Sequence, residues 1–145
     1  MNASTHKVGL GLTLKFAVGT ILLTGMSMTF AASDTLTLSG NEEVPAVTTS
    51  ASATGAINVA ADKTVSGGVT TKGIEVTAAH IHEGEAGKNG PVAIALTKAA
   101  DGKWVVPDGA KFTDAQYESY KAGKLYVNVH SAAHKDGEIR GQLKP

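Results

Sequence analysis

Short segments in which apolar and polar residues alternate constrain this chain more than any other feature. Beyond residue 32 such segments recur along the chain, separated by clusters of Gly, Asn, Asp and Pro. The clearest is LYVNVH, from Leu125 to His130. Because successive side chains of a strand point to opposite faces, a period of two predicts strands with one apolar face. With short connections and no strand–helix–strand rhythm, the sequence predicts an antiparallel all-β domain, a Greek-key β-sandwich or barrel.

The turn signals also place the individual elements. Strands are predicted at residues 35–38, 51–60, 64–69, 74–82, 91–96, 124–130 and 138–143. One short helix is predicted near residues 113–122. Thr113 followed by Gln116 has the spacing of a capping box, in which each side chain satisfies a free N–H at the helix start. Gly123 provides the expected stop at the other end.

The N-terminal segment is of a different kind. Residues 1–15 include Lys7 and Lys15 and no acidic residue, and residues 16–30 form an apolar run, FAVGTILLTGMSMTF. Small residues at Thr29 and Ala31 then suit a signal peptidase. This pattern predicts a secretory signal peptide over residues 1–31 and a domain over residues 32–145. A membrane anchor is the alternative, but the run is short for a bilayer span. We therefore expect a periplasmic or secreted protein with no membrane attachment after cleavage.

Composition excludes several classes of site. The chain has 13 Lys and Arg residues, of which two lie in the signal segment, and 13 Asp and Glu residues, of which none lies there. The domain therefore carries 11 basic and 13 acidic residues. This balance predicts no nucleic-acid partner. The chain has no cysteine, which removes disulfides and thiolate ligands. No nucleophile elbow, catalytic triad order or nucleotide loop is present, so no catalytic residue is predicted.

Three histidines are predicted to share one region. His80 and His82 alternate with Ile81 and so share a strand face, and His130 lies on the polar face of LYVNVH. If these strands are neighbours, the three imidazoles converge, and His134 in the following turn is a candidate fourth ligand. Imidazole suits copper and zinc, and copper tolerates three or four nitrogens. We expect a copper ion at this site, with zinc as the alternative. Otherwise, the rings hydrogen-bond loop carbonyls and one another without a metal.

Two groups of charges are interpreted as ordinary surface features. Glu138 and Arg140 are two residues apart on the last predicted strand and are expected to form an ion pair near the surface. Glu42 and Glu43 are expected to be solvated loop charges.

Three blocks of the sequence resemble the CHRD domain family, named from chordin. They are LSGNEEVPAVTTSASATG (Leu38 to Gly55), AAHIHEGEAGKNGPVAIAL (Ala78 to Leu96) and LYVNVHSAAHKDGEIRGQL (Leu125 to Leu143). The chain departs from the family at Ser131, usually threonine, and at His134, where another residue is common. The resemblance is to the short bacterial exported form. In chordin, an extracellular antagonist, these domains imply a binding or scaffold role, which is not carried over to a lone bacterial domain. A metal-free binding or adhesion module for an unidentified extracytoplasmic protein is a separate hypothesis, because the composition offers no other chemistry.

The central block also looks like the metal strand of copper/zinc superoxide dismutase, an exported Greek-key sandwich. By that likeness His80 and His82 match the histidine pair of the dismutase, and His130 matches its late copper ligand. A bridging histidine and a zinc cluster have no counterpart here. This likeness alone therefore does not imply a dismutase activity. The expected β-sandwich or barrel is superoxide-dismutase-like or immunoglobulin-like, and the expected partner of the histidines is a metal ion. A dismutase-like redox enzyme is the third hypothesis, after metal binding and a metal-free binding module.

Overall fold

A computed structural model of the chain describes residues 34–145, which contain nine strands, one α-helix and one 3₁₀ turn at Gly40–Glu42. The strands are β1 (Leu36–Ser39), β2 (Ser52–Val59), β3 (Val65–Lys72), β4 (Val76–Glu83), β5 (Val92–Ala95), β6 (Thr97–Ala100), β7 (Lys103–Val105), β8 (Leu125–Ser131) and β9 (Ile139–Gln142). The helix, α1, spans Asp114–Lys121. The predicted signal peptide, residues 1–31, lies outside the described residues.

All nine strands belong to one antiparallel sheet, in the order β5-β4-β8-β9-β1-β2-β3-β7-β6. The two edge strands, β5 and β6, are consecutive in the chain and are joined by Leu96 alone. Because one residue spans only a few ångströms, the sheet must curl until its edges approach each other. The result is a nearly closed, barrel-like sheet. The predicted antiparallel all-β fold with one short helix is confirmed, and the sheet takes the barrel-like form.

The apolar face of every long strand points into this curled sheet. Ile81 of β4 lies opposite Val127 of β8, and Val129 of β8 lies opposite Ile139 of β9. All four side chains are fully buried. Fully burying one such side chain stabilises the fold by about 1.5–3 kcal/mol. The apolar interior therefore fixes which face of β4 and β8 carries the histidines.

The opposite face of β8 is also buried, which differs from the polar, solvent-facing side that the alternation predicts. Every residue of β8 is buried. The loop after β1 and the loop after β4 cover this outer face, and Asn89 of one loop donates to the carbonyl of Val44 in the other at 2.8 Å. Thr49 of the first loop donates to Glu138 at 2.7 Å. The polar residues of β8 thus form a second, hydrogen-bonded layer outside the apolar core.

Helix α1 begins and ends where the sequence predicts. Thr113 and Gln116 form the complete capping box, and Gly123 follows the helix with a φ of 70°. Strands β6 and β7 were not predicted. They form a short hairpin at the edge of the sheet, and all four residues of β6 are exposed.

Within residues 34–145, no helix has both the length and the apolar character needed to cross a bilayer.

Candidate metal centre

The central strands place a grid of polar side chains on the outer face of the sheet. Strand β8 lies between β4 and β9, so each of its outward residues has one neighbour on either side. Two rows of this grid, read from β4 through β8 to β9, are His82, Tyr126 and Gln142, then His80, Asn128 and Arg140. His130 lies in the next position of β8, opposite the small side chain of Ala78. The predicted adjacency of the two histidine-bearing strands is therefore present.

Three of the four predicted ligands converge. His80 Nδ1 lies 3.0 Å from His130 Nε2. One ligand atom from each of His80, His82 and His130 lies within 4.8 Å of the other two. Two nitrogens that share an ion at about 2.0–2.1 Å with an angle near 90–110° are about 2.9–3.4 Å apart. The pair of His80 Nδ1 and His130 Nε2 already has this spacing.

Backbone carbonyls fix the orientation of two of the rings. His82 Nδ1 lies 2.9 Å from Gly90 O, and His130 Nδ1 lies 2.9 Å from Lys135 O. A carbonyl only accepts, so both Nδ1 atoms carry the proton, and the neutral rings keep their lone pair on Nε2. Metal-binding histidines commonly have this arrangement, with the remote nitrogen held by a carbonyl and the near nitrogen free to ligate. His80 Nδ1 then donates to His130 Nε2.

His82 Nε2 has no hydrogen-bond partner although it is buried. An unpaired buried polar atom costs about 1–3 kcal/mol, and most native structures contain few of them. The ring cannot turn to relieve this cost without breaking its hydrogen bond to Gly90 O. The bond to Gly90 O therefore holds the ring of His82 in an orientation that leaves Nε2 unpaired.

The protonation state of His80 and His82 favours metal binding. Burial lowers the pKa of His80, and the nearby His130 and His82 lower it further. Burial also lowers the pKa of His82, against the opposing effect of its bond to Gly90. Lower pKa values keep these imidazoles neutral at neutral pH, and the neutral ring is the form that binds a metal.

The side chains of His82, Tyr126 and Arg140 form a stack. The His82 ring lies on the Tyr126 ring with centroids 5.0 Å apart and planes 12° apart, and Arg140 Cζ lies 3.5 Å from the Tyr126 centroid. The hydroxyl of Tyr126 accepts from the N–H of Gly90 at 3.1 Å, so Gly90 is held by two residues of the grid. Arg140 in turn donates to the carbonyl of Glu85 at 2.9 Å. These bonds hold the loop after β4 against the ring of His82.

The predicted surface ion pair of Glu138 with Arg140 is wrong. Arg140 is only 1% exposed and uses its guanidinium on Tyr126 and the loop. Glu138 is buried and accepts from the hydroxyls of Ser131 and Thr49 at 2.5 and 2.7 Å. Burial alone would raise the pKa of Glu138, but the two hydroxyls and the nearby His134 together outweigh burial and lower the pKa. Glu138 and Arg140 share a strand face, but each has its own partners.

Glu43 is also buried, at 6% exposure, although the sequence suggested a solvated loop charge. It accepts from Asn128 Nδ2 at 2.7 Å. Burial raises the pKa of Glu43, and the bond from Asn128 and the charge of Arg140 oppose this rise. His134 is not among the three residues whose ligand atoms converge. It lies close enough to Glu43 and Glu138 for its charge to favour both carboxylates.

Comparison with known families gives a match to the CHRD domain over residues 35–143. Neither the search of curated proteins nor the search of solved structures gave a match. The matched range covers nearly all of the described residues and includes the three converging histidines. The chain therefore belongs to the CHRD domain family.

Proposed function

We propose that this protein binds one transition-metal ion, copper in the first place, through His80, His82 and His130. The buried, unpartnered Nε2 of His82 carries the proposal, because this unpaired lone pair belongs to a group of three close imidazoles and gains its missing partner when an ion is bound. The hydrogen bonds from His82 and His130 to carbonyls support it further, since they hold both rings in the ligating tautomer.

The donor set favours copper, with zinc as the alternative. The group offers three neutral nitrogens and no carboxylate or thiolate. Calcium and magnesium prefer oxygen ligands, whereas imidazole suits copper and zinc, and copper binds more tightly than zinc to a given nitrogen site. Three protein ligands leave a coordination position open to an exogenous ligand. His80 and His82 are only half-buried, so the histidine group lies near the surface of the domain. Storage or sequestration of the ion outside the cytoplasm is the role we propose.

Export is part of the same proposal. The charged and apolar N-terminal pattern and membership of the CHRD family support a periplasmic or secreted protein that begins near residue 32. The mass of the protein recovered from outside the cytoplasm tests this point. Retention of the uncleaved chain inside the cell would contradict it.

Calorimetric titration with copper(II) and zinc(II) tests the metal proposal. We expect the wild-type protein to bind one ion, and His82→Phe to bind at least about 100-fold more weakly, because it removes the unpaired ligand while keeping a ring on Tyr126. His134→Ala is the matched control and is expected to bind like wild type. Equal and weak binding by all three proteins would instead favour a metal-free binding module, in which the hydrogen bond between His80 and His130 is purely structural.

A further inference from the structure

Two buried side-chain atoms among residues 34–145 lack a hydrogen-bond partner, and they lie in the same grid. They are His82 Nε2 and Asn128 Oδ1. The first is a nitrogen lone pair, which the proposed metal ion satisfies. The second is a carbonyl oxygen, which requires a donor. Asn128 is only 2% exposed, so bulk water does not supply that donor freely. A metal ion bound to the three imidazoles does not by itself supply that donor.

Metal binding creates one new donor in the grid. In the metal-free protein, His80 Nδ1 donates to the lone pair of His130 Nε2. If that lone pair ligates an ion, it no longer accepts, and the bond is lost. His80 then ligates through one nitrogen and carries its proton on the other. His82 and His130 already have carbonyl acceptors for their remaining N–H groups. His80 is the one ligand whose N–H still needs an acceptor.

Asn128 is positioned to be that acceptor. It lies directly opposite His80 in the pairing of β4 with β8, and both side chains project from the outer face. Its Nδ2 donates to Glu43 Oε1 at 2.7 Å, which turns Oδ1 away from the carboxylate. The backbone of Gly137 packs so closely on the amide that an added Cβ would overlap both of its polar atoms. The amide is therefore fixed by Glu43 and Gly137.

We propose that Asn128 Oδ1 accepts the remaining N–H of His80 in the metal-loaded protein, and that Glu43 sets the orientation of the amide for this role. This inference rests on the proposed metal site. One ion, together with the N–H of His80 that it frees from His130, would satisfy both unpaired atoms. Asn128 is thus a positioning residue that acts through His80. Glu43, Asn128 and His80 form a chain of partners that leads from a buried carboxylate to the ion.

Zinc(II) is the probe for the test, because its complex is diamagnetic and suits NMR of the imidazole N–H groups. Three proteins are compared: wild type, Asn128→Leu, which keeps the volume and removes the acceptor, and Glu43→Gln/Asn128→Asp. The double variant reverses donor and acceptor. The amide at position 43 donates to the carboxylate at position 128, whose second oxygen still accepts from His80, and the net charge is unchanged.

In the zinc-loaded wild type we expect an N–H signal of His80 that is protected from exchange with water. Asn128→Leu should lose this protection and bind zinc about 10–100-fold more weakly. The double variant should restore the protected signal and decides the question even if Asn128→Leu fails to fold. An unprotected His80 N–H in the zinc-loaded wild type or in the double variant would overturn the inference, as would wild-type affinity in Asn128→Leu. A wild-type protein that binds no zinc or copper would overturn the metal site as well.

Discussion

Replacing His82 by Phe in the metal-free protein separates a ligand from a structural residue. Replacing a side chain that stabilises the fold should lower the free energy of unfolding. Replacing a metal ligand should change that free energy little when no ion is bound. Phenylalanine keeps an aromatic ring on Tyr126, where the His82 ring now stacks at 5.0 Å. It removes both nitrogens, one bonded to Gly90 O and one unpaired.

The size of the effect follows from these two nitrogens. Loss of the bond to Gly90 O leaves that carbonyl without its donor and costs about 1–3 kcal/mol, and removal of the unpaired Nε2 returns about 1–3 kcal/mol. The net change in the free energy of unfolding should therefore lie between a loss of about 2 and a gain of about 2 kcal/mol. Tyr126→Phe provides a control in which a bond is lost and nothing is returned. It leaves the Gly90 N–H without its acceptor and should cost about 1–3 kcal/mol.

Urea denaturation in the presence of a chelator measures both variants against wild type. A loss of more than about 2 kcal/mol in His82→Phe would contradict a ligand role for His82, because it would make the imidazole itself a stabilising group. A Tyr126→Phe variant as stable as wild type would show that the loop does not depend on the bond to Gly90.

We make three further predictions about the stability of the protein. The metal-free protein should lose stability as the pH falls below about 6.5. Burial lowers the pKa of His80 and His82 in the folded protein, so the unfolded chain binds more protons in this range. Urea titrations across about pH 5–8 measure the free energy of unfolding, and a profile that does not change with pH would contradict this expectation. Gly137→Ala should destabilise the protein by more than about 1 kcal/mol, because its φ of 132° and its packing on Asn128 exclude a Cβ; a thermal midpoint like wild type would argue against that packing. Thr113→Ala should cost about 1 kcal/mol through loss of the helix cap, and thermal denaturation should show a drop of a few degrees.

The strands and the histidine group could be predicted because both depend on local periodicity. Alternation places Ile81 inside and His80 and His82 outside, and the same rule separates Val129 from His130. Once β4 and β8 pair, the imidazoles meet without further specification. Strands β6 and β7 escaped prediction because they are short and β6 buries nothing, although the Asp-Gly turn between them is a recognised hairpin signal.

The burial of the outer face could not be predicted from periodicity. Asn128 and Arg140 are polar and occupy positions that a strand pattern assigns to solvent. They are buried because residues far away in the sequence complete their hydrogen bonds, as Glu43 does for Asn128 across 85 positions. Such long-range partners have no local sequence signal. The same limit applies to His134, since its distance from the histidine group depends on the path of the turn that carries it.

The most direct test of the metal site is a crystal structure of the copper-loaded protein with an anomalous difference map measured at the copper absorption edge. We expect one strong peak bounded by His80, His82 and His130, at about 2.0–2.1 Å from one nitrogen of each ring. Unchanged hydrogen bonding between His80 and His130, with copper only elsewhere on the surface or no bound copper at all, would contradict it.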